Sequence, residues 1–164
     1  MITQNKLFLF FCTVFFITSF AHLWGITLTV TGSWPLSIGS ADVIGGTGGN
    51  LSPEYLSSSD IVTIEIADTA GASDAWQVLV HREDGLWKGS LSLGLIRTTS
   101  GTGPGAVTGG DSGFLELTAG DQLFFEGTGD RSAIDVRMRL SGVSAVLNAE
   151  VYSRTVYFTV IDIP

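Results

Sequence analysis

The pattern of apolar and polar positions divides the chain into two unlike parts. Leu7 to Phe16, continuing through Ile17 to Ala21, is one apolar stretch, whereas from Ile26 onward the apolar residues come in short alternating runs. Alternation with a period of two marks strands that bury one face and leave the other in water. Ile26, Leu28 and Val30 alternate with Thr27, Thr29 and Thr31 and predict a first strand. Trp34, Leu36 and Ile38 carry the alternation across Pro35; proline has no N–H to give to a ladder, so this piece belongs at a sheet edge or in a turn back. Residues 39–60 read as a loop around Pro53 to Leu56, a stretch that suits one helical turn.

Ile61 to Ile66 is the next predicted strand, with Val62, Ile64 and Ile66 on one face. After a loop at 67–75, Trp76, Val78 and Val80 share a face, and Asp84-Gly85 supplies the two positive-φ positions of a tight hairpin turn. The second arm of that hairpin would turn Trp87, Leu91, Leu93 and Leu95 inward. Thr98 to Gly113 holds six glycines and Pro104 and reads as a long loop. Phe114–Thr118 and Gln122–Glu126 are short apolar strands, and Ile134, Val136, Met138 and Leu140 alternate with Asp135, Arg137 and Arg139. Val143 to Leu147 follows, then a turn at Asn148-Ala149-Glu150 and a final strand, Thr155 to Ile163, with Val156, Phe158 and Val160 on one face. About nine strands and no long helix predict an all-β, immunoglobulin-like sandwich over residues 22–164.

The first part has another meaning. A polar start ending in the single cation Lys6, an apolar run of about 15 residues and the small residues of Ser19-Phe20-Ala21 match a secretory signal peptide over residues 1–21, cut after Ala21. A spanning helix needs roughly 20 apolar residues, and Gly25 with the strand pattern behind it ends the run, so no stable membrane span is expected after cleavage. Cys12, the only cysteine, leaves with the leader, and bulky Leu9-Phe10-Phe11 before it do not suit lipidation. The mature domain would then hold no disulfide and no cysteine nucleophile.

Charge narrows the partners. Without Lys6, seven Lys and Arg stand against sixteen Asp and Glu, a net charge of −9. Nucleic-acid backbones and anionic membranes need clustered cations, so neither is expected as a ligand.

Candidate chemistry is sparse. Gly127-Thr128-Gly129-Asp130 and Gly46-Thr47-Gly48-Gly49 lack the lysine and the strand-to-helix setting of a phosphate loop and read as turns. Asp111, Asp121 and Asp130 lie on loops where a hard cation such as calcium finds oxygen ligands, although no calcium-loop spacing is present. His81 is the one histidine inside the domain; it falls on the outward phase of its strand, with no serine in a nucleophile-elbow pattern. Neither a catalytic constellation nor a cofactor is therefore expected. Trp76 and Trp87 share the phase of aliphatic neighbours and read as core, which leaves Trp34 as the candidate for stacking on a sugar ring. Asn50-Leu51-Ser52 has the form of a glycosylation sequon.

The ending Asn148-Ala149-Glu150-Val151-Tyr152-Ser153-Arg154-Thr155-Val156-Tyr157-Phe158-Thr159-Val160 resembles that of bacterial surface sandwiches of the spore-coat-U and fimbrial-subunit type. The resemblance implies an exported immunoglobulin-like subunit assembled into a surface fibre or coat by strand exchange. The chain departs from that pattern in lacking a cysteine pair and in ending on Ile163 rather than an aromatic at the penultimate position. Candidate strand-exchange residues are Ile26, Leu28 and Val30 at one end and Val156, Phe158 and Val160 at the other; the first three fit either the domain's own strand or a segment donated to a neighbour. The expectation is an exported, non-enzymatic structural or adhesion protein, periplasmic, secreted or at the cell surface, associating with itself or a protein partner through sheet edges. The alternative is a secreted carbohydrate-binding module using Trp34.

Overall fold

The computed structural model describes residues 25–45, 49–83, 90–144 and 151–163, together with the backbone of 7–9. Most of the proposed leader and the turn at Asp84-Gly85 lie outside the described residues, as do Trp87, Gly46-Thr47-Gly48 and the turn at Asn148-Ala149-Glu150. The chain is all-β, with antiparallel sheets packed together as a sandwich. Its strands are β1 (Leu7–Leu9), β2 (Thr27–Gly32), β3 (Pro35–Ser37), β4 (Val43–Ile44), β5 (Asn50–Leu51), β6 (Glu54–Leu56) and β7 (Val62–Ala67). They continue as β8 (Ala75–Arg82), β9 (Ser92–Arg97), β10 (Val107–Thr108), β11 (Leu115–Glu116), β12 (Gln122–Thr128), β13 (Arg131–Ser141) and β14 (Val156–Ile163).

One sheet runs β11-β9-β13-β7-β2, with β6 also paired to β13; the other runs β10-β12-β8-β14. Two small ribbons, β1 with β3 and β4 with β5, complete the pairing. Pro53 to Leu56 is not a helical turn, because Tyr55 and its neighbours pair with Arg139 to Ser141 beyond the end of β7 and so extend the sheet.

The predicted hairpin after Trp76 is also absent. Its arms do form strands with the expected buried faces, Trp76, Val78 and Val80 on β8 and Leu93 and Leu95 on β9. However, β8 pairs with β12 and β14 while β9 pairs with β11 and β13, so the two arms lie in opposite sheets. From β7 onward each long strand crosses to the other sheet. A strand pair then joins residues far apart in sequence, as where Val156 of β14 meets Arg82 of β8.

Alternation puts Ile64, Ile66, Trp76, Val78, Val80, Leu93, Leu95, Ile134, Val136 and Leu140 into one interior, all at 1 % exposure or less. Two bulges break the period and change what is buried. Between Leu123 and Phe125 the register of β12 against β8 shifts by one residue, so the consecutive residues Phe124 and Phe125 both enter the core. Their rings meet at 5.0 Å, and Phe125 stands edge-on to Trp76 at 6.0 Å. Between Arg131 and Ile134 a second shift, with Ala133 at φ +55°, turns Arg131 inward, out of phase with Arg137 and Arg139.

The glycine-rich stretch 98–113 is organised around two buried arginines. Arg131 donates from Nε and Nη2 to the carbonyl of Ser100, from Nη2 to that of Gly101, and from Nη1 to those of Gly103 and Gly105 at 2.9 and 2.6 Å. Arg97 donates to the carbonyls of Gly109 and Thr99, to Ser100 Oγ and to the Asp111 carboxylate at 2.9 Å. Glycine is required because the loop lies flat on the β12–β13 turn. A Cβ on Gly103 would sit 2.1 Å from the carbonyl oxygen of Asp130, and one on Gly105 only 1.5 Å from that of Thr128.

Candidate functional site

The six strand-exchange candidates lie on the two strands that bound one flank of the sandwich. Among the described residues β2 pairs with β7 and β14 with β8, and β14 lies against β2 across the two sheets. Val30 and Val156 are buried, while Ile26, Leu28, Phe158 and Val160 are half-buried and packed against the same core. β2 pairs with β7 of the same chain in unbroken register from Thr27 opposite Ala67 to Gly32 opposite Val62. β14 pairs with β8 over eight positions, also without a shift.

These edges are long, straight and poor in charge. β2 carries no charged residue and β14 carries one, Asp162. Neither contains a proline, a lysine or a bulge, the features that keep sheet edges from pairing with other chains. The outward face of β14 presents Tyr157, Thr159 and Ile161, the last 42 % exposed. Beside them stand Leu79 on β8 and Leu123 on β12, the latter 49 % exposed.

His81 stands at one end of this face. Its Nδ1 lies 2.6 Å from Asp121 Oδ1, and its ring stacks on Tyr157 at 4.9 Å between centroids. A histidine oriented by a carboxylate is half of a nucleophilic triad, but among the described residues no serine or threonine hydroxyl bonds to the ring. The sequence placed His81 on the outward phase; it could not reveal the stacking, because Tyr157 is brought opposite by the β8–β14 pairing. Only a period-two reading of both strands together with their register would have found it.

The loop aspartates do not converge. Asp111 holds Arg97, Asp121 holds His81, and Asp130 accepts from the backbone N–H of Thr69 at 3.0 Å and from its hydroxyl at 2.7 Å. Those two hydrogen bonds hold the Asp130 carboxyl below the ordinary carboxylate range. Among the described residues no three His, Cys, Asp or Glu side chains are placed to share a metal ion. Gly127 to Asp130 forms the end of β12 and the turn into β13, and Trp76 Nε1 donates to the Gly129 carbonyl at 2.9 Å, closing the turn from inside.

Trp34 corrects the sugar-stacking expectation. It is 5 % exposed and belongs to the central cluster with Ile38 and Val30, so its ring has no free face for a glycan. Pro35 opens β3, and the residue before it is buried in the core rather than left on the surface. Asn50, in β5, is exposed.

Comparison of the chain with protein-family profiles, with characterised proteins and with solved structures returns no match. No helix among the described residues is long and apolar enough to cross a membrane.

Proposed function

We propose that this protein is an exported, non-enzymatic structural or adhesion-type subunit that assembles through its sheet edges at the cell surface. The observation that carries this reading is the flank formed by β2 and β14. Two adjacent terminal strands, six and eight residues long, each pair on one side with a single strand among the described residues and carry one charge between them. A strongly acidic chain is soluble by charge repulsion, so a nearly neutral edge stands out as its place of contact. The leader at residues 1–21 supplies export, and the domain begins at His22. The ending from Asn148 to Val160 gives the same reading through its resemblance to spore-coat-U and fimbrial subunits.

Sedimentation of the exported protein over a wide concentration range, with fractionation of the cells that make it, tests this. The expected result is a mature terminus at His22, association that grows with concentration, and retention in the envelope fraction. A protein that stays monomeric at every concentration and is released entirely to the medium would overturn the proposal.

A further inference from the structure

We infer that a cleft on the outer face of the β10-β12-β8-β14 sheet binds a primary alkylammonium group of the kind a lysine side chain carries. Strand register builds the cleft. Ile163, Ala75 and Thr128 stand in one row across β14, β8 and β12, and Ile161, Gln77, Glu126 and Thr108 form a second row that reaches β10. Directly opposite residues share a face, and the row between these two holds the wholly buried Trp76, so both rows face outward. Here the side chains are short: Ala75, Gly127 and Ala106 leave a hollow of about 300 Å³ rimmed by Ile163, Thr128, Glu126 and Thr108. The floor is fixed from inside. The Trp76 ring lies so close under Gly127 that a Cβ there would come within 2.5 Å of it, and the ring is held by its Nε1 bond to the Gly129 carbonyl.

The lining selects the occupant. Glu126 places one carboxylate on the rim; it accepts from Gln77 Nε2 at 3.2 Å, and among the described residues no lysine or arginine pairs with it. Thr108 is directly opposite on β10, a spacing of about 5 Å between Cβ atoms. Thr128, two residues along β12, takes the Ala106 N–H at 3.2 Å and keeps a second lone pair. An ammonium group has three donors and no acceptor, which suits a carboxylate flanked by two hydroxyls. The alkyl chain behind it would lie along Ala75, Ala106 and Ile163, as lysine stems do on apolar surface. Other ligand classes fit less well. An anion would meet the Glu126 carboxylate, and a sugar ring wants an aromatic face, whereas Trp76 is 0 % exposed. A hard metal ion wants several carboxylate or carbonyl oxygens, and no metal-holding group of acidic and histidine side chains is present among the described residues. The acidic net charge of the chain favours cations in the same sense. This cleft does not depend on edge assembly.

Amide NMR of the exported protein titrated with n-butylammonium chloride tests this, with n-butanol as the neutral match. Saturable shifts are expected at the Ala75, Ala106 and Gly127 amides and the Trp76 indole N–H within about 100 mM amine, with n-butanol at least about tenfold weaker. Glu126→Gln keeps the shape of the side chain and should weaken amine binding about tenfold or more. Ala106→Leu, at an exposed position, should fill the cleft and abolish binding. The same spectra report whether each variant keeps its fold. Acetyl-Gly-Lys-Gly-amide separates the sources: tighter binding than n-butylammonium marks the side chain of a partner protein, and weaker binding marks a free amine. The inference is overturned if the amine gives no saturable shift at these groups, if n-butanol binds as well as the amine, or if Glu126→Gln leaves binding unchanged.

Discussion

The two flanks of the sandwich are finished in opposite ways. On one, the edge strands β10 and β11 are two residues each, and the segment joining β9, β10 and β11 is wound onto Arg97 and Arg131. On the other, β2 and β14 run six and eight residues, each pairing on one side with a single strand among the described residues. The closed flank uses much glycine, for the backbone to lie within touching distance of the β12–β13 turn, and two buried guanidinium groups to occupy the carbonyls that a glycine loop leaves without strand partners. The open flank uses threonine, valine and isoleucine, residues that make a good strand and nothing to stop the next one. Under the proposed function, the contact surface lies on this second flank.

The largest expected effect lies on the closed flank. Arg131 is 7 % exposed and serves four carbonyls, so Arg131→Ala removes a buried charged donor from all four at once. The predicted loss is about 2–3 kcal/mol, since a hydrogen bond to a charged group contributes on the order of 1.5–3 kcal/mol and water can reach the freed carbonyls. Urea unfolding measures it, and a loss under about 1 kcal/mol would mean that the loop holds its shape without the arginine. Arg131→Lys should not rescue, because an ammonium group cannot fan out to carbonyls as a planar fork does.

A smaller effect, dependent on pH, comes from Asp130 in the β12–β13 turn under that loop. Its carboxyl is held below the ordinary value of 3.8 by the Thr69 hydroxyl and N–H. The unfolded chain therefore binds this proton more readily than the folded one. The stabilisation is present in full above the unfolded value and is lost as pH falls through the lower folded value. Asp130→Asn should flatten the fall in stability below about pH 4 and leave neutral-pH assembly unchanged. An unaltered acid profile would show that the Thr69 contact has no energetic part in closing this end.

How much of this could be read from the sequence follows from which contacts are local. Burial by alternation was legible for Val62, Ile64 and Ile66, for Trp76, Val78 and Val80, and for Ile134 to Leu140, because a strand's own period decides which face is inward. Pairing was not. The Asp84-Gly85 signal suggested a hairpin, but the core is closed by strands that alternate between sheets, and no local feature near residue 84 reports that β8 will meet β14. Arg97 continued the inward phase of Leu91, Leu93 and Leu95 and was open to detection, whereas Arg131 is turned inward by a bulge that its neighbours do not announce. The glycine stretch 98–113 looked like low-complexity loop because its order depends on those two side chains. At the open flank, the residues of β2 and β14 were legible as strands, and their place at the edges is a property of the topology alone.

The smallest expected change in stability, on the open flank, is also the sharpest test of the contrast. Thr159 is exposed on the outer face of β14, where its side chain makes no core contact, so Thr159→Lys should alter unfolding free energy by no more than about 0.5 kcal/mol. The same change places a hydrated cation on a neutral edge, the device by which natural sheets prevent edge-to-edge association. Sedimentation should then show a monomer at concentrations where the parent chain associates. Arg131→Ala, at concentrations of denaturant where it is still folded, should associate as the parent does. If the lysine leaves association intact, the assembling surface is not the β14 edge. If instead Arg131→Ala abolishes association while Thr159→Lys does not, the roles of the two flanks are reversed, and the glycine loop held by Arg97 and Arg131 becomes the binding surface.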